Sequence, residues 1–224
     1  MDDPYLPPEL PADRVVARIG LISDTHMPER CAEVPSAVFD TLRGVDMLLH
    51  AGDVGELWVL DRLSAIAPVI AVRGNDETAG VQQELPYQQL VIAGGVRILL
   101  THGHYPERAT EMESRKDDAW QPKLARRAAM GQRAGARVVV FGHTHVPMAF
   151  EHDGVLLVNP GAIAAPNVAS RQSIQSVAIL FIRDDSVPFV AHVNLANPDR
   201  PFMPRIDWWA GFRAAHARFT TPLP

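Results

Sequence analysis

Five times along the chain a short run of aliphatic and β-branched residues ends abruptly in a polar cluster. Residues 15–22 run into Ser23-Asp24-Thr25-His26, residues 45–49 into His50-Ala51-Gly52-Asp53, and residues 68–72 into Arg73-Gly74-Asn75-Asp76. Residues 97–100 give way to Thr101-His102-Gly103-His104, and residues 137–141 to Gly142-His143-Thr144-His145. Apolar runs of this length, closed by turn-forming residues, predict five strand ends. Between them, residues 35–43, 56–67 and 121–134 show helical spacing; in the last, Pro122 suits a first turn and Gly135 a stop. Strand alternating with helix predicts parallel pairing covered by helices.

The pattern changes in the second half. Residues 147–150, 155–158, 177–182 and 188–193 read as short strands separated by turn residues such as Asp153-Gly154 and Asp184-Asp185. They predict a second, mostly antiparallel sheet packed on the first. Residues 84–92 predict a further strand, and residues 105–118 a polar, mobile loop beside His104. At the N-terminus, Pro4, Pro7, Pro8 and Pro11 break any period, so residues 1–14 read as an irregular arm before a domain over 15–200. Residues 201–224 read as a helical extension, with Trp208, Phe212, Ala215 and Phe219 on one stripe. That stripe would dock on the protein's own core, or serve a homodimer contact.

Composition narrows the classes. A chain of 224 residues suits one large core, and 47% hydrophobic with 21% charged residues is ordinary for a globular protein. No apolar run approaches the roughly 18 residues of a membrane span, and the acidic, proline-rich start lacks the features of a secretion signal, so the expected location is cytoplasmic. Cys31, the lone cysteine, excludes an internal disulfide and a cysteine-rich zinc knuckle. A net charge of −5 disfavours non-specific nucleic-acid binding.

Six of the nine histidines, His26, His50, His102, His104, His143 and His145, fall in the polar clusters together with Asp24, Asp53 and Asn75. Ligands gather at strand ends because loops leaving a rigid sheet can converge there without disturbing the core. Imidazoles, carboxylates and one amide without thiolate suit manganese, iron, cobalt, nickel or zinc. Singly, Asp-x-His or Gly-Asp is a weak signal. Gly142-His143-Thr144-His145 is stronger, because the glycine permits close backbone approach and two histidines two residues apart can both face a site.

The ordered series Asp24-x-His26, Gly52-Asp53, Gly74-Asn75, His102-Gly-His104 and Gly142-His143-Thr-His145 resembles the calcineurin-like metallophosphoesterase superfamily. The Arg73-Gly74-Asn75-Asp76 form and Asn159-Pro160-Gly161 are similar to its small YfcE-like phosphodiesterase branch. That resemblance implies a four-layer α/β/β/α sandwich with two mixed sheets. It implies two divalent metal ions, manganese first: Asp24, His26, Asp53 and His145 around one, Asp53, Asn75, His102 and His143 around the other, with Asp53 as the bridge. It implies hydrolysis of a small phosphate ester by in-line attack of a metal-bridging hydroxide, a diester ahead of a monoester or a nucleotide pyrophosphate. Relatives that became non-catalytic protein-interaction scaffolds supply a further alternative.

Supporting roles stay open at this level. His50 could orient a ligand or be structural, Asn159 could bond a ligand histidine or cap a turn, and His104 could contact phosphate, protonate the leaving oxygen or face solvent. The chain departs from many relatives where Asp76 replaces a histidine that resembles a leaving-group acid. It also has Ala162 and Pro166-Asn167 where the close branch often carries serine and arginine, leaving Arg171 to reach in instead.

Overall fold

The computed structural model describes residues 3–7, 10–116, 119–166 and 172–204. The predicted helix in the C-terminal extension and Arg171 lie outside these residues.

Eleven strands form two mixed sheets. In the first, β1 (Val15–Ile22), β2 (Met47–His50) and β3 (Val69–Ala71) run parallel, and β9 (Ser176–Arg183), β10 (Pro188–Asn194) and β11 (Pro201–Phe202) extend it antiparallel from the other side of β1. In the second, β5 (Val96–Thr101), β6 (Val138–Val140) and β8 (Val155–Asn159) run parallel, flanked antiparallel by β4 (Gln88–Ala93) and β7 (Met148–His152).

Strand periodicity explains the layers. Alternate residues of a strand face opposite sides, so Ile19 and Leu21 of β1 join Leu180 and Ile182 of β9 and Ile98 and Leu100 of β5 between the two sheets. The intervening Ile22, Ile179 and Phe181 face Val38, Leu42, Val59 and Leu63 around α1 (Ser36–Thr41) and α2 (Trp58–Leu63). On the far side, Leu99, Val139 and Leu157 pack against Leu124 and Ala128 of α5 (Gln121–Arg133). The result is the α/β/β/α sandwich. Central strands buried on both faces read as unbroken apolar runs rather than alternating ones.

Three expectations need correction. The five motif-bearing strands do not share one sheet, and the later strands do not build a separate antiparallel one: β5 and β6 belong to the second sheet, while β9 and β10 complete the first. Local strand–helix alternation fixes direction, not which sheet a strand joins; β9 pairs with β1 because its two apolar faces fill both seams. Residues 105–118 are not a polar loop throughout, since they contain α4 (Arg108–Ser114), with Glu111 buried. A short helix α3 (Ala79–Glu84) precedes β4, where a strand beginning at residue 84 was expected. Within the arm, a 3-10 turn spans Ala12–Arg14 and Tyr5 is buried against the outer face of the first sheet. Among the described residues no helix is long and apolar enough to cross a membrane.

Candidate metal centre

All five motif loops leave the C-terminal ends of strands, three from the first sheet (β1, β2, β3) and two from the second (β5, β6). The site therefore sits where the two sheets' strand ends meet. Two donor groups assemble there from buried side chains: Asp24, His26 and His145, and Asp24, Asp53 and His102.

Each imidazole has an acceptor beside Nδ1, by hydrogen bond for His102 and His145 and by ion-pair contact for His26. His26 Nδ1 lies 3.3 Å from Asp76 Oδ2, His102 Nδ1 2.7 Å from the Ala51 carbonyl, and His145 Nδ1 3.1 Å from Gln172 Oε1. An acceptor at Nδ1 assigns the ring proton to that nitrogen and leaves the Nε2 lone pair for the site. These lone pairs converge. His26 Nε2 is 3.3 Å from His145 Nε2 and 3.5 Å from Asp53 Oδ2, His145 Nε2 is 3.3 Å from Asp24 Oδ1, and His102 Nε2 is 3.3 Å from Asp53 Oδ2. Lone pairs and carboxylates facing one another in a buried space repel unless a cation or protons lie among them. Three neutral imidazoles and two carboxylates are a donor set that a borderline divalent cation satisfies.

Without a cation, protons take its place among these groups. Burial alone would raise both carboxyl groups, but the facing rings outweigh it. His102 and His26, with the N–H of Asp76, hold Asp53 well below the usual carboxylate range, and His145 and His102 hold Asp24 below it as well. Burial disfavours a charged His102, yet Asp53 and Asp24 lift its pKa to about 9.

Backbone strain is concentrated here. Among the described non-glycine residues with positive φ are Asp24 (52°), His26 (46°), Asp53 (53°), His143 (70°) and His145 (59°); Asp153 and Ser186, the other two, lie in hairpin turns. A left-handed conformation costs a side-chain-bearing residue on the order of 1 kcal/mol or more and persists only where its surroundings impose it. Two motif glycines have a steric role. A Cβ on Gly74 would lie 1.9 Å from Asp53 Oδ1, and one on Gly142 would lie 2.6 Å from Asp24 Oδ2.

The remaining expected residues sit further out. Asn75 is exposed on the rim of the cleft. His143 sits beside His102, with ring centroids 5.2 Å apart, but its Nε2 is 2.9 Å from Glu111 Oε1, and it belongs to neither donor group. His104 is buried, stacks edge-on against Tyr87, and lines the adjoining cleft with Asn75. Burial, then the neighbouring His102 and His143, pull its pKa down to about 3, so its ring is neutral at physiological pH. His50 lies behind the site at 3.1 Å from Thr25 Oγ1, bracing the loop between Asp24 and His26. Asn159 does not meet a ligand ring; its amide donates to the Gly142 carbonyl and Thr144 Oγ1 while its oxygen accepts from the Gly161 N–H. Asp76 pairs with Arg30 at 3.2 Å as well as with His26.

Sequence reasoning missed three supports. Glu77 accepts from the N–H groups of Val54, Gly55 and Gly74, tying the Asp53 loop to the Asn75 loop. Gln172 orients His145, and Glu111 receives the Tyr105 N–H and Arg115 as well as His143. The one available signal was Glu77, a carboxylate three residues beyond Gly74 in a turn-forming segment.

The sandwich and this donor set define a metal-binding scaffold of the phosphoesterase type. Residues 18–185 match the model of the calcineurin-like phosphoesterase superfamily domain, and the chain belongs to that family. A "probable metallophosphoesterase" of Methanothermobacter thermautotrophicus is 38% identical over 152 residues, covering 67% of this chain and 79% of the relative. Among solved structures, Vps29 from Entamoeba histolytica aligns with a TM-score of 0.63 at 23% identity, covering 81% of this chain and 94% of that one. A structure described as a novel archaeal phosphodiesterase aligns at 0.55 and 21%, covering 79% and 99%.

Proposed function

We propose that the protein is a phosphodiesterase that hydrolyses a small phosphate ester with two divalent cations, manganese first and iron, nickel, zinc or cobalt as alternatives. The observation that supports it is the convergence of three Nε2 lone pairs on two buried carboxylates, each ring locked through its Nδ1. Asp24 is common to both donor groups, and one oxygen of Asp53 faces His26 and His102 alike, so either carboxylate can be shared between neighbouring cations. Asn75 and His143 would complete the second position. When bound, such cations supply a water of lowered pKa and neutralise charge on phosphoryl oxygens.

The chain's own residues prepare the rest. Asp76, Ala51 and Gln172 set the three rings, and Glu77 holds the Asp53 and Asn75 loops together. Two clefts, of about 560 and 550 Å³, meet at Asn75, Tyr105, Glu111 and Arg115. Room for a group in each of two clefts favours a diester, whose phosphorus carries two arms, over a monoester with one.

The test is metal content of purified protein together with metal-dependent hydrolysis of bis(p-nitrophenyl) phosphate against p-nitrophenyl phosphate. Hydrolysis of the diester that disappears in Asp53→Asn supports the reading. Protein that takes up no divalent cation and hydrolyses neither ester would point to an interaction scaffold on this fold.

A further inference from the structure

Charged residues on a helix ordinarily face water. Three on α5 do not: Lys123, Arg126 and Arg127, at i, i+3 and i+4 on one face, line the larger cleft together with His26, Asp53 and His145, and Arg127 is only 4% exposed. Lysine and arginine are seldom buried to this extent unless an anion accompanies them.

Other cations of the cleft have such partners, since Arg30 meets Asp76 and Arg115 meets Glu111. Arg126 and Arg127 have carbonyls instead. Arg126 donates to the Gly103 and His104 oxygens at 3.0 Å each, and Arg127 to the Lys123 and Gly103 oxygens at 3.0 and 3.2 Å. Among the described residues neither has a carboxylate within ion-pair distance, and Arg127 Nε is buried without a hydrogen-bond partner. The guanidinium of Arg126 lies over the Tyr105 ring at 4.0 Å and that of Arg127 over the Phe141 ring at 4.5 Å, so both planes are held in place. Burial and the adjacent Arg126 pull the Arg127 pKa down to about 10, which leaves it charged at neutral pH.

Two fixed, adjacent guanidinium groups with no ion-pair partner among the described residues favour, in a cleft, an anion that can accept from both. Phosphate fits: its oxygens match the fork of each arginine, and the carbonyl contacts use only two donor bonds of each side chain. Three of the four tethering contacts go to the carbonyls of the two residues that follow His102, so this anion would lie one step beyond the donor groups rather than on them.

We propose that Arg126 and Arg127 form a subsite for a second phosphate of the substrate, distinct from the phosphate that is cleaved. The inference rests on the phosphoesterase reading above and names its substrate class: esters carrying a further phosphate, as nucleoside bisphosphates and polyphosphates do.

Two measurements test it. In the first, EDTA-treated protein is melted in inorganic phosphate and in chloride of matched ionic strength. Phosphate raises the wild-type Tm, and Arg126→Gln loses most of that rise. In the second, manganese-loaded protein hydrolyses thymidine 5′-(p-nitrophenyl phosphate) with and without a 3′-phosphate. The wild type favours the 3′-phosphorylated ester by roughly tenfold or more in kcat/KM, as expected for one charge-assisted bidentate contact. That ratio collapses toward one in Arg126→Gln and is largely kept in Arg126→Lys. If Arg126→Gln does not fold, Arg126→Met is read for the same ratio. A wild-type ratio near one, or an unchanged ratio in the variants, overturns the subsite. If neither ester is hydrolysed but phosphate still stabilises wild type over variant, the subsite stands and the phosphoesterase reading fails.

Discussion

Gly74→Ala should damage the site without altering a single donor. Gly74 has an ordinary φ, so alanine meets no backbone strain there; its Cβ instead lands 1.9 Å from Asp53 Oδ1 and 2.4 Å from the Asp53 backbone nitrogen. The carboxylate could rotate away, but the nitrogen belongs to a loop fixed by Glu77 through Val54, Gly55 and Gly74 itself. Overpacking of this kind costs about 1–3 kcal/mol, and at roughly 2–4 °C per kcal/mol for a chain of this size the Tm in EDTA falls by about 2–12 °C. Because the displaced group is Asp53, manganese affinity falls as well, by about 10-fold to 100-fold, the usual cost of disturbing a ligand's support. Isothermal titration with manganese and a melting curve in EDTA read the two effects. Gly80→Ala is the control, since its Cβ meets nothing closer than 3.9 Å from Leu57, and a helical glycine replaced by alanine is neutral or gains up to about 1 kcal/mol. Gly74→Ala protein that binds manganese within twofold of wild type at unchanged Tm would refute the claim that this glycine exists for Asp53.

Cation affinity should climb with pH: with the His102 pKa raised to about 9, a cation must displace its proton at neutrality, so affinity increases by up to about tenfold per pH unit until that value is approached. Titrations in buffers of different ionisation enthalpy should show proton release on binding, and a flat profile from pH 6.5 to 9 would contradict the assignment. Glu111→Gln weakens the charge-assisted contact to His143 Nε2 and should tighten the second cation by several-fold, seen as a shift in the weaker binding step; loss of that step would instead make Glu111 a ligand. With Asp76 committed to His26 and Arg30, leaving-group protonation is weak, so kcat should fall steeply from aryl to alkyl phosphodiesters, and equal rates across such a series would refute this.

Much of the candidate centre was legible in advance because donor type is a local property. A histidine or aspartate just past an apolar run announces itself by type and position, and His26, Asp53 and His102 do occupy strand ends. Their supports were not legible. Gln172 reaches His145 across 27 positions, and Glu111 lies in a segment whose polarity suggested a loop. Nothing in local spacing reveals a hydrogen bond formed only after two distant segments are packed together. Arg126 and Arg127 gave no signal of their own, since helical spacing does not say which charged positions the fold turns into a cleft.

By itself, then, the sequence determined the strand ends, the donor types and the family pattern, because alternation, turn chemistry and side-chain identity act over a few residues. Tertiary structure alone decided that the five loops come from two sheets rather than one, that Asp24, His26, Asp53 and His145 take left-handed backbone, and that His143 faces Glu111. Those outcomes depend on which apolar faces fill which seam, a competition among segments far apart in the chain. It is settled by the burial of whole layers rather than by any residue's own preference.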